Sequence, residues 1–387
     1  MPERDLLMIP GPTMVDPAVL RAISAPVRSQ AAPEVVEAFG AALEGMRVVL
    51  GARAGAPYII AGSGTLALEF GAANLIEPGD KVLLIDTGVF AYRFQQICER
   101  YDAQITVLNA PPGDTISLDA VEAELQKGGY KFVEMVHVDT STDVQVDVTA
   151  VSKLARRYGA LVVVDGVCAA AGVEVKCDEW GVDLYMTGSQ KAFGVPPGLA
   201  LCWTSERALD TIRKRRKPVR NFFCDALNWL PVMQAMEARK VAYFATPPVN
   251  MICGLHESLK QILAETMEKR VRRHAILSRA FKAGLDAMGL RQVPLRPEIA
   301  APTLSCAYFP PGVDGSMIQH VRAHGVTIAM GIHPRLKPYF RVGHMGTVMP
   351  NDILATLGAI ESALLVAEHE LQPGAGLSAA MRVLVEM

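Results

Sequence analysis

Short apolar runs alternate with amphipathic stretches along the first half of the chain. The apolar runs have the length and residue types of buried strands, and they lie at 58–60, 81–85, 105–107, 132–136, 161–165 and 184–186. Between them, apolar residues recur at helical spacing over 33–50, 66–75, 90–100 and 147–158. Strands that alternate with helices predict an α/β fold with a mostly parallel, doubly wound sheet.

The pattern changes after about residue 255. A charged helical stretch over roughly 250–289 precedes strands predicted at 303–309, 326–329 and 339–342 and a helix at 351–367. This order indicates a smaller α+β domain. Prolines 10, 12 and 17 interrupt the beginning of the chain, which predicts an extended arm there. We therefore expect an arm over 1–20, a large domain over 21–255, a small C-terminal domain over 256–372 and a tail over 373–387.

Composition narrows the classes of function. The chain has 387 residues and a formal net charge of −2, which gives no electrostatic reason to expect a nucleic acid or an anionic membrane as partner. The basic run at 213–217 is interpreted as a solvated helix end. Seven scattered cysteines form no CxxC pair, which indicates reduced thiols and no metal site. With neither a signal-peptide pattern nor an apolar run of membrane-spanning length, we expect a cytoplasmic protein.

An amine and a carboxylate follow two neighbouring strands. Asp165 ends the strand at 161–165, and Lys191 comes after the next strand and before an uncharged loop containing Pro196, Pro197 and Gly198. In parallel sheets, ligands bind at the carboxyl ends of the strands, so both side chains are expected at one edge. Pyridoxal phosphate needs such a pair, an amine for a Schiff base and a carboxylate for the pyridine nitrogen. A capping Asp and a surface Lys remain the alternatives.

Other residues carry weaker signals. The turn Gly62-Ser63-Gly64-Thr65 between a strand and a helix suits either an anion or simple helix capping. Phe90 follows a strand, where it either stacks on a cofactor ring or starts the core of a helix. Arg341 lies in an apolar strand, where it either grips a carboxylate or forms a structural ion pair. His137 lies at a strand end near the expected site, whereas His344 is interpreted as structural.

These segments together resemble the class V, fold type I pyridoxal phosphate aminotransferases of the alanine–glyoxylate and serine–pyruvate group. The resemblance covers about residues 8–367. It rests on segments 9–13, 62–65, 77–80, 137–142, 164–167, 188–191 with 196–198, and 341–343, in this order and spacing.

The resemblance implies a role for each segment. Lys191 would carry the cofactor as a Schiff base, and Asp165 would bind its pyridine nitrogen. The remaining cofactor contacts would come from Ser63, Gly64, Thr65 and Gln190 at the phosphate, Phe90 and Val167 on the ring faces, and Ser141 near the ring hydroxyl.

The resemblance also implies a partner subunit and substrates. Tyr243 and Thr246 would reach the phosphate of a neighbouring subunit, which makes the protein a homodimer with shared sites. Arg341 and the backbone of Gly11 would hold the substrate carboxylate. The implied reaction is transamination of a small amino acid, alanine or serine, with a 2-oxo acid such as glyoxylate or pyruvate.

Several alternatives stay open at this point. Ureidoglycine–glyoxylate, pyridoxamine–pyruvate and aminoethylphosphonate aminotransferases share the framework. A cysteine desulfurase would have His before the catalytic Lys, where this chain has Gln190, and a reactive Cys in a mobile loop, whereas Cys306 lies in an apolar strand. A non-catalytic pyridoxal phosphate-binding protein is a further alternative. Asp143 departs from the family pattern, because it stands where the family usually has Gly, so this turn is expected to differ.

Overall fold

A computed structural model describes residues 5–387 of the chain. Its helices, numbered in chain order, are α1 (Pro17–Ser24), α2 (Pro33–Val49), α3 (Gly64–Leu75), α4 (Val89–Arg100), α5 (Leu118–Leu125), α6 (Val148–Arg157), α7 (Cys177–Trp180), α8 (Glu206–Arg213), α9 (Ala226–Glu237), α10 (Val249–Glu265), α11 (Met267–Ala287), α12 (Met317–Ala323), α13 (Pro350–Val366) and α14 (Ala375–Leu384). The strands are β1 (Leu6–Leu7), β2 (Ala56–Gly62), β3 (Lys81–Asp86), β4 (Gln104–Asn109), β5 (Tyr130–Val136), β6 (Val138–Asp139), β7 (Val144–Gln145), β8 (Leu161–Asp165), β9 (Leu184–Gly188), β10 (Gly198–Thr204), β11 (Leu304–Tyr308), β12 (Val326–Thr327), β13 (Ala329–Met330) and β14 (Tyr339–Gly343).

A seven-stranded sheet forms the centre of the molecule, in the order β2-β10-β9-β8-β5-β3-β4. Strand β10 runs antiparallel to both neighbours, and the other pairs in the sheet are parallel. The central strands β8 and β9 are buried along their whole length, as expected for a sheet covered by helices on both faces. The doubly wound α/β architecture predicted from the alternation of strands and helices is therefore confirmed.

A second, smaller core lies toward the C-terminus. The antiparallel sheet β11-β14-β13 packs with α11, α12 and α13 around fully buried residues such as Leu277, Phe281, Phe340 and Leu357. Burying each such side chain contributes about 1.5–3 kcal/mol. Two separate cores support the division into a large and a small domain, and the exact boundaries stay a prediction.

Two local predictions were wrong. The arm is not extended to residue 20, because Pro17 starts α1, where its missing N–H costs nothing and Asp16 caps the helix. The stretch over 250–289 is two helices that meet at Thr266, whose φ of 68° interrupts the helical backbone. The basic run at 213–217 lies at the end of α8 and is exposed at four of its five residues, as predicted. The fifth, Arg215, is half-buried and donates hydrogen bonds to the carbonyls of Asn74 and Ile76 at the end of α3.

The segment predicted as a tail contains α14, which packs against α11 and α13 and contributes Ala380 to the smaller core. No helix within residues 5–387 has the length and apolar character needed to cross a membrane.

Candidate active site

The carboxyl ends of β8 and β9 bring the predicted amine and carboxylate together. The two strands are parallel neighbours in which Asp165 pairs with Met186, and Lys191 follows three residues after the end of β9. Both side chains line one cavity of about 280 Å³, near the lower end of the size range of small-molecule sites. Four other cavities, of about 570, 590, 590 and 900 Å³, are larger, but none of them is lined by Asp165 or Lys191.

Lys191 lies at the floor of this cavity and is only 9 % exposed. Its ammonium donates a hydrogen bond to the carbonyl of Pro10. A Cβ at Gly11 would stand 2.6 Å from Lys191 Nζ, and φ at Gly11 is +129°, so glycine is required for this close approach. Burial lowers the pKa of Lys191, and the charge of Arg341 acts in the same direction. The lysine is thereby made a better nucleophile and base.

Asp165 is 2 % exposed and accepts a hydrogen bond of 2.9 Å from the backbone N–H of Val167. Burial raises the pKa of Asp165 to about 7, against the opposing effect of this N–H. A buried carboxylate needs a cationic or hydrogen-bonding partner. Asp165 is therefore suited to bind a protonated nitrogen inside the cavity.

The glycine turn, which follows β2, supplies another part of the cavity lining. Gly64 and Thr65 begin α3 and line the cavity. Ser63 is the N-cap of α3, and within residues 5–387 its hydroxyl makes no capping hydrogen bond, so it is available to a ligand. The side-chain oxygen of Gln190 is also buried without a hydrogen-bond partner among the described residues. Free backbone N–H groups, a hydroxyl and an amide at a helix N-terminus form a site for an anion.

Phe90 and Val167 both line the cavity. Phe90 is held through its backbone N–H, which donates to Asp139 Oδ2 at 3.1 Å. Val167 packs against the start of α3, where a Cβ at Gly64 would stand 2.9 Å from Val167 Cγ2. The two apolar side chains provide surfaces on which an aromatic ligand packs.

Ser141 and Arg341 are not among the residues that line the cavity. The Ser141 hydroxyl donates to Asp139 Oδ1 at 2.6 Å and accepts from the N–H of Val89 at 3.0 Å. Arg341, on β14, donates to the carbonyls of Met330 and Thr140 at 2.8 and 3.1 Å. These bonds fix the guanidinium beside the segment that contains Ser141. The charge of Arg341 contributes to the lowered pKa of Lys191.

Tyr243 and Thr246 lie in the segment between α9 and α10, away from the cavity of their own chain. Tyr243 is 63 % exposed, and its hydroxyl lies 3.3 Å from Thr246 Oγ1. Exposed side chains of this kind fit the expectation that they serve a neighbouring subunit, which stays a prediction.

Asp143 adopts the backbone conformation of a glycine in the turn between β6 and β7. Its φ is +62°, in the left-handed region that Asp tolerates better than most residues. Its carboxylate accepts hydrogen bonds from the N–H groups of Ala301 and Cys306 and lies 3.3 Å from Lys282 Nζ. The carboxylate therefore ties this turn to the segment around β11 and to α11.

Two residues that line the cavity did not emerge from the sequence, Leu68 on α3 and Arg93 on α4. Each lies one helical turn after a predicted site residue, Thr65 or Phe90. A position three residues after Thr65 or Phe90 on the same helix is the sequence signal that could have identified Leu68 and Arg93. His137 does not line the cavity, and its Nδ1 lies 3.2 Å from the Tyr185 hydroxyl.

Comparisons with known proteins identify the family of the chain. The sequence matches the family Aminotransferase class-V over residues 7–349. It is 38 % identical to alanine–glyoxylate aminotransferase 1 of Saccharomyces cerevisiae over 90 % of this chain and 93 % of that protein. The structure resembles ureidoglycine–glyoxylate aminotransferase of Bacillus subtilis with a TM-score of 0.91 and 32 % identity, over 100 % of this chain and 99 % of the other.

The structure also resembles pyridoxamine–pyruvate aminotransferase of Mesorhizobium loti, with a TM-score of 0.93 and 29 % identity, over 100 % of this chain and 99 % of the other. Similarity over the whole chain confirms the predicted fold type I architecture. The protein is therefore an aminotransferase and belongs to the class V aminotransferase family.

Proposed function

We propose that the protein uses pyridoxal phosphate to transfer the amino group of a small amino acid, alanine or serine, to a 2-oxo acid such as glyoxylate or pyruvate. The observation that carries this proposal is the pairing of Lys191 and Asp165 in one cavity at the carboxyl edge of the sheet. The similarity to an alanine–glyoxylate aminotransferase supports the choice of substrates.

The residues of the cavity fit this cofactor. Its phosphate would be held at the start of α3 by Ser63, Gly64 and Thr65 and by the amide of Gln190, whose buried oxygen has no partner within residues 5–387. A half-turn of that amide exchanges its acceptor for a donor. The ring would pack on Phe90 and Val167. When bound, pyridoxal phosphate supplies the electron sink for breaking a bond at the substrate Cα.

The protein's own side chains perform the remaining steps. Lys191 would hold the cofactor through its amine, and when a substrate amine takes that place, Lys191 Nζ would be the base that takes the proton from the substrate Cα. The lowered pKa of Lys191 favours the neutral amine that this role requires. The same amine would be the group that returns a proton during the transfer. Asp165 would keep the ring nitrogen protonated.

Arg341 and the backbone of Gly11 would orient the substrate. The Arg341 guanidinium is fixed by two carbonyls, and a fixed guanidinium binds a carboxylate with defined geometry. Ser141, which is hydrogen-bonded to Asp139, would lie near the ring hydroxyl. We further propose a homodimer in which Tyr243 and Thr246 contact the partner's phosphate, and a cytoplasmic location.

A desulfurase-type reaction is disfavoured by the position of Cys306. This thiol is fully buried in β11, and burial raises the pKa of Cys306, so it is not a nucleophile on a mobile loop. The structural similarity to the ureidoglycine and pyridoxamine enzymes supports other amino donors as alternatives to alanine and serine. Aminotransferases that use these other donors form the second group of candidates.

A panel of amino donors distinguishes these candidates. Alanine, serine, ureidoglycine, aminoethylphosphonate and pyridoxamine would each be paired with glyoxylate, and all of them except alanine also with pyruvate, and the keto product and the change in absorbance of bound cofactor would be followed. We expect alanine or serine with glyoxylate to give the highest kcat/KM. A higher value for any of the other three donors would contradict the proposed substrates while leaving the aminotransferase assignment intact.

A further inference from the structure

Arg93 brings a positive charge into the cavity that none of the roles above uses. It lies on α4 one turn after Phe90, and its guanidinium carbon stands 4.7 Å from the centre of the Phe90 ring. Among residues 5–387, its guanidinium takes part in no ion pair and no hydrogen bond of normal geometry. A half-buried arginine that only contacts an aromatic ring keeps its full charge.

Arg93 lies among the other residues of the cavity. Arg93 shares the cavity with Gly64, Thr65 and Leu68 on α3 and with Asp165 and Lys191 at the strand ends. Its positive charge lowers the pKa of both Asp165 and Lys191. The guanidinium therefore acts on the interior of the cavity and not only on the surface of α4.

The phosphate end of the cavity is otherwise built from neutral donors. Ser63 and Thr65 offer hydroxyls, Gln190 offers an amide, and the start of α3 offers backbone N–H groups with a partial charge of about half a unit. A phosphate monoester carries about −1.5 to −2 charges at neutral pH. Neutral donors leave much of this charge unbalanced in a cavity that also contains the Asp165 carboxylate.

We propose that Arg93 is the charge partner of the cofactor's phosphate and makes this site specific for a phosphorylated cofactor. This inference rests on the proposed use of pyridoxal phosphate and adds the residue that separates pyridoxal phosphate from pyridoxal. A guanidinium suits this task because its planar array of N–H donors matches phosphate oxygens, and its charge is retained at every physiological pH.

The test compares two forms of the cofactor. The full-length protein would be freed of cofactor with hydroxylamine and titrated with pyridoxal phosphate and, separately, with pyridoxal, reading binding from the absorbance of the bound chromophore. Replacing Arg93 by Gln (R93Q) should raise the Kd for pyridoxal phosphate about ten- to a hundredfold, the effect of losing one hydrogen bond to a charged group, and leave the Kd for pyridoxal unchanged. R93K, which keeps the charge but loses the planar donors, should fall between R93Q and the wild type.

Arg100 provides the matched control, because it lies exposed at the end of the same helix. R100Q should bind both forms as the wild type does, and thermal unfolding of each variant would report whether it folds. Equal weakening of both cofactor forms in R93Q, or no change in either, would overturn the proposal, and R93K decides the question if R93Q does not fold. If the wild type binds neither form, the proposed function fails together with this inference.

Discussion

Burial gives Lys191 and Asp165 their chemical character. Removing an ammonium from water favours its neutral form, and removing a carboxylate from water favours its protonated form. In this chain the pKa of Lys191 is lowered and that of Asp165 is raised to about 7. A cationic ligand nitrogen beside Asp165 would reverse the latter shift, so the carboxylate is matched to a partner that arrives with the cofactor.

Asp165→Asn tests whether the Asp165 carboxylate is the partner of a protonated cofactor nitrogen. The amide keeps the shape of the side chain but does not stabilise a protonated ring nitrogen. We expect the variant to bind the cofactor and to lose about 10²- to 10⁴-fold in kcat, the range of a displaced proton-transfer group. Asp119→Asn, an exposed change in the first turn of α5, serves as the control in the same steady-state assay. An Asp165→Asn enzyme with the wild-type kcat would contradict the role of the carboxylate.

His137 makes a prediction about acid stability. Burial lowers the pKa of His137 to about 4, below its ordinary value of 6.5. Between these two pH values the unfolded chain binds a proton at His137 and the folded chain does not. Its contribution to stability is present above pH 6.5 and is lost as the pH falls toward 4. A His137→Asn variant lacks this titration, so its deficit in the free energy of unfolding relative to wild type should shrink by about 2 kcal/mol between pH 7 and pH 5. Urea unfolding at both pH values measures the change, and a constant deficit would show that His137 is not buried in its neutral form.

At the scale of elements, the turn around Asp143 joins the two cores. It follows the segment that contains Ser141 and contacts Ala301 and Cys306 through its carboxylate, while Lys282 reaches it from α11. Lys282 also donates to the carbonyls of Ala301 and Leu304. The segment that contains Ser141 is therefore tied to the small domain at several points, since Arg341 also donates to the carbonyl of Thr140 and the Tyr339 hydroxyl donates to the carbonyl of Ser141.

Two substitutions at Asp143 separate its backbone role from its charge. Asp143→Gly allows the positive φ but removes three hydrogen-bonding contacts, so it should lower the free energy of unfolding by about 1–3 kcal/mol. Asp143→Ala removes the same contacts and adds left-handed strain, for a further loss of about 1–2 kcal/mol. Chemical denaturation of the two variants checks the order. Equal stability of Gly and Ala variants would show that the turn relaxes out of the left-handed region.

At the scale of the whole molecule, two exposed aromatic residues are candidates for contact with the proposed partner subunit. Phe222 is 74 % exposed and Tyr243 is 63 % exposed, far more than large aromatic side chains usually are. Analytical ultracentrifugation should give a mass twice the 41.7 kDa of the chain. Tyr243→Phe should preserve that mass and weaken pyridoxal phosphate binding by about ten- to a hundredfold, the loss of one hydrogen bond to a charged group. An active monomer would contradict the shared site.

The sequence predicted the parts of this molecule that depend on local pattern. Strand β8 and the positions of Asp165 and Lys191 followed from apolar runs and from the rule that parallel strands present their carboxyl ends together. The antiparallel direction of β10 did not follow from the sequence, because the residues of a strand do not reveal the direction of the strands beside it. The break at Thr266 was hidden by continuous helical periodicity on both sides. Arg93 was not predicted as a site residue, because its place in the cavity depends on how α3 and α4 pack beside each other.

The covalent attachment of pyridoxal phosphate to Lys191 is the central claim, and peptide mass spectrometry tests it directly. The enzyme loaded with cofactor would be reduced with sodium borohydride, which makes a cofactor–lysine bond permanent, and then digested. We predict a phosphopyridoxyl group on the peptide that contains Lys191, and its absence from a Lys191→Ala variant that has lost transamination. A label on another lysine, or an active enzyme without any label, would contradict the account.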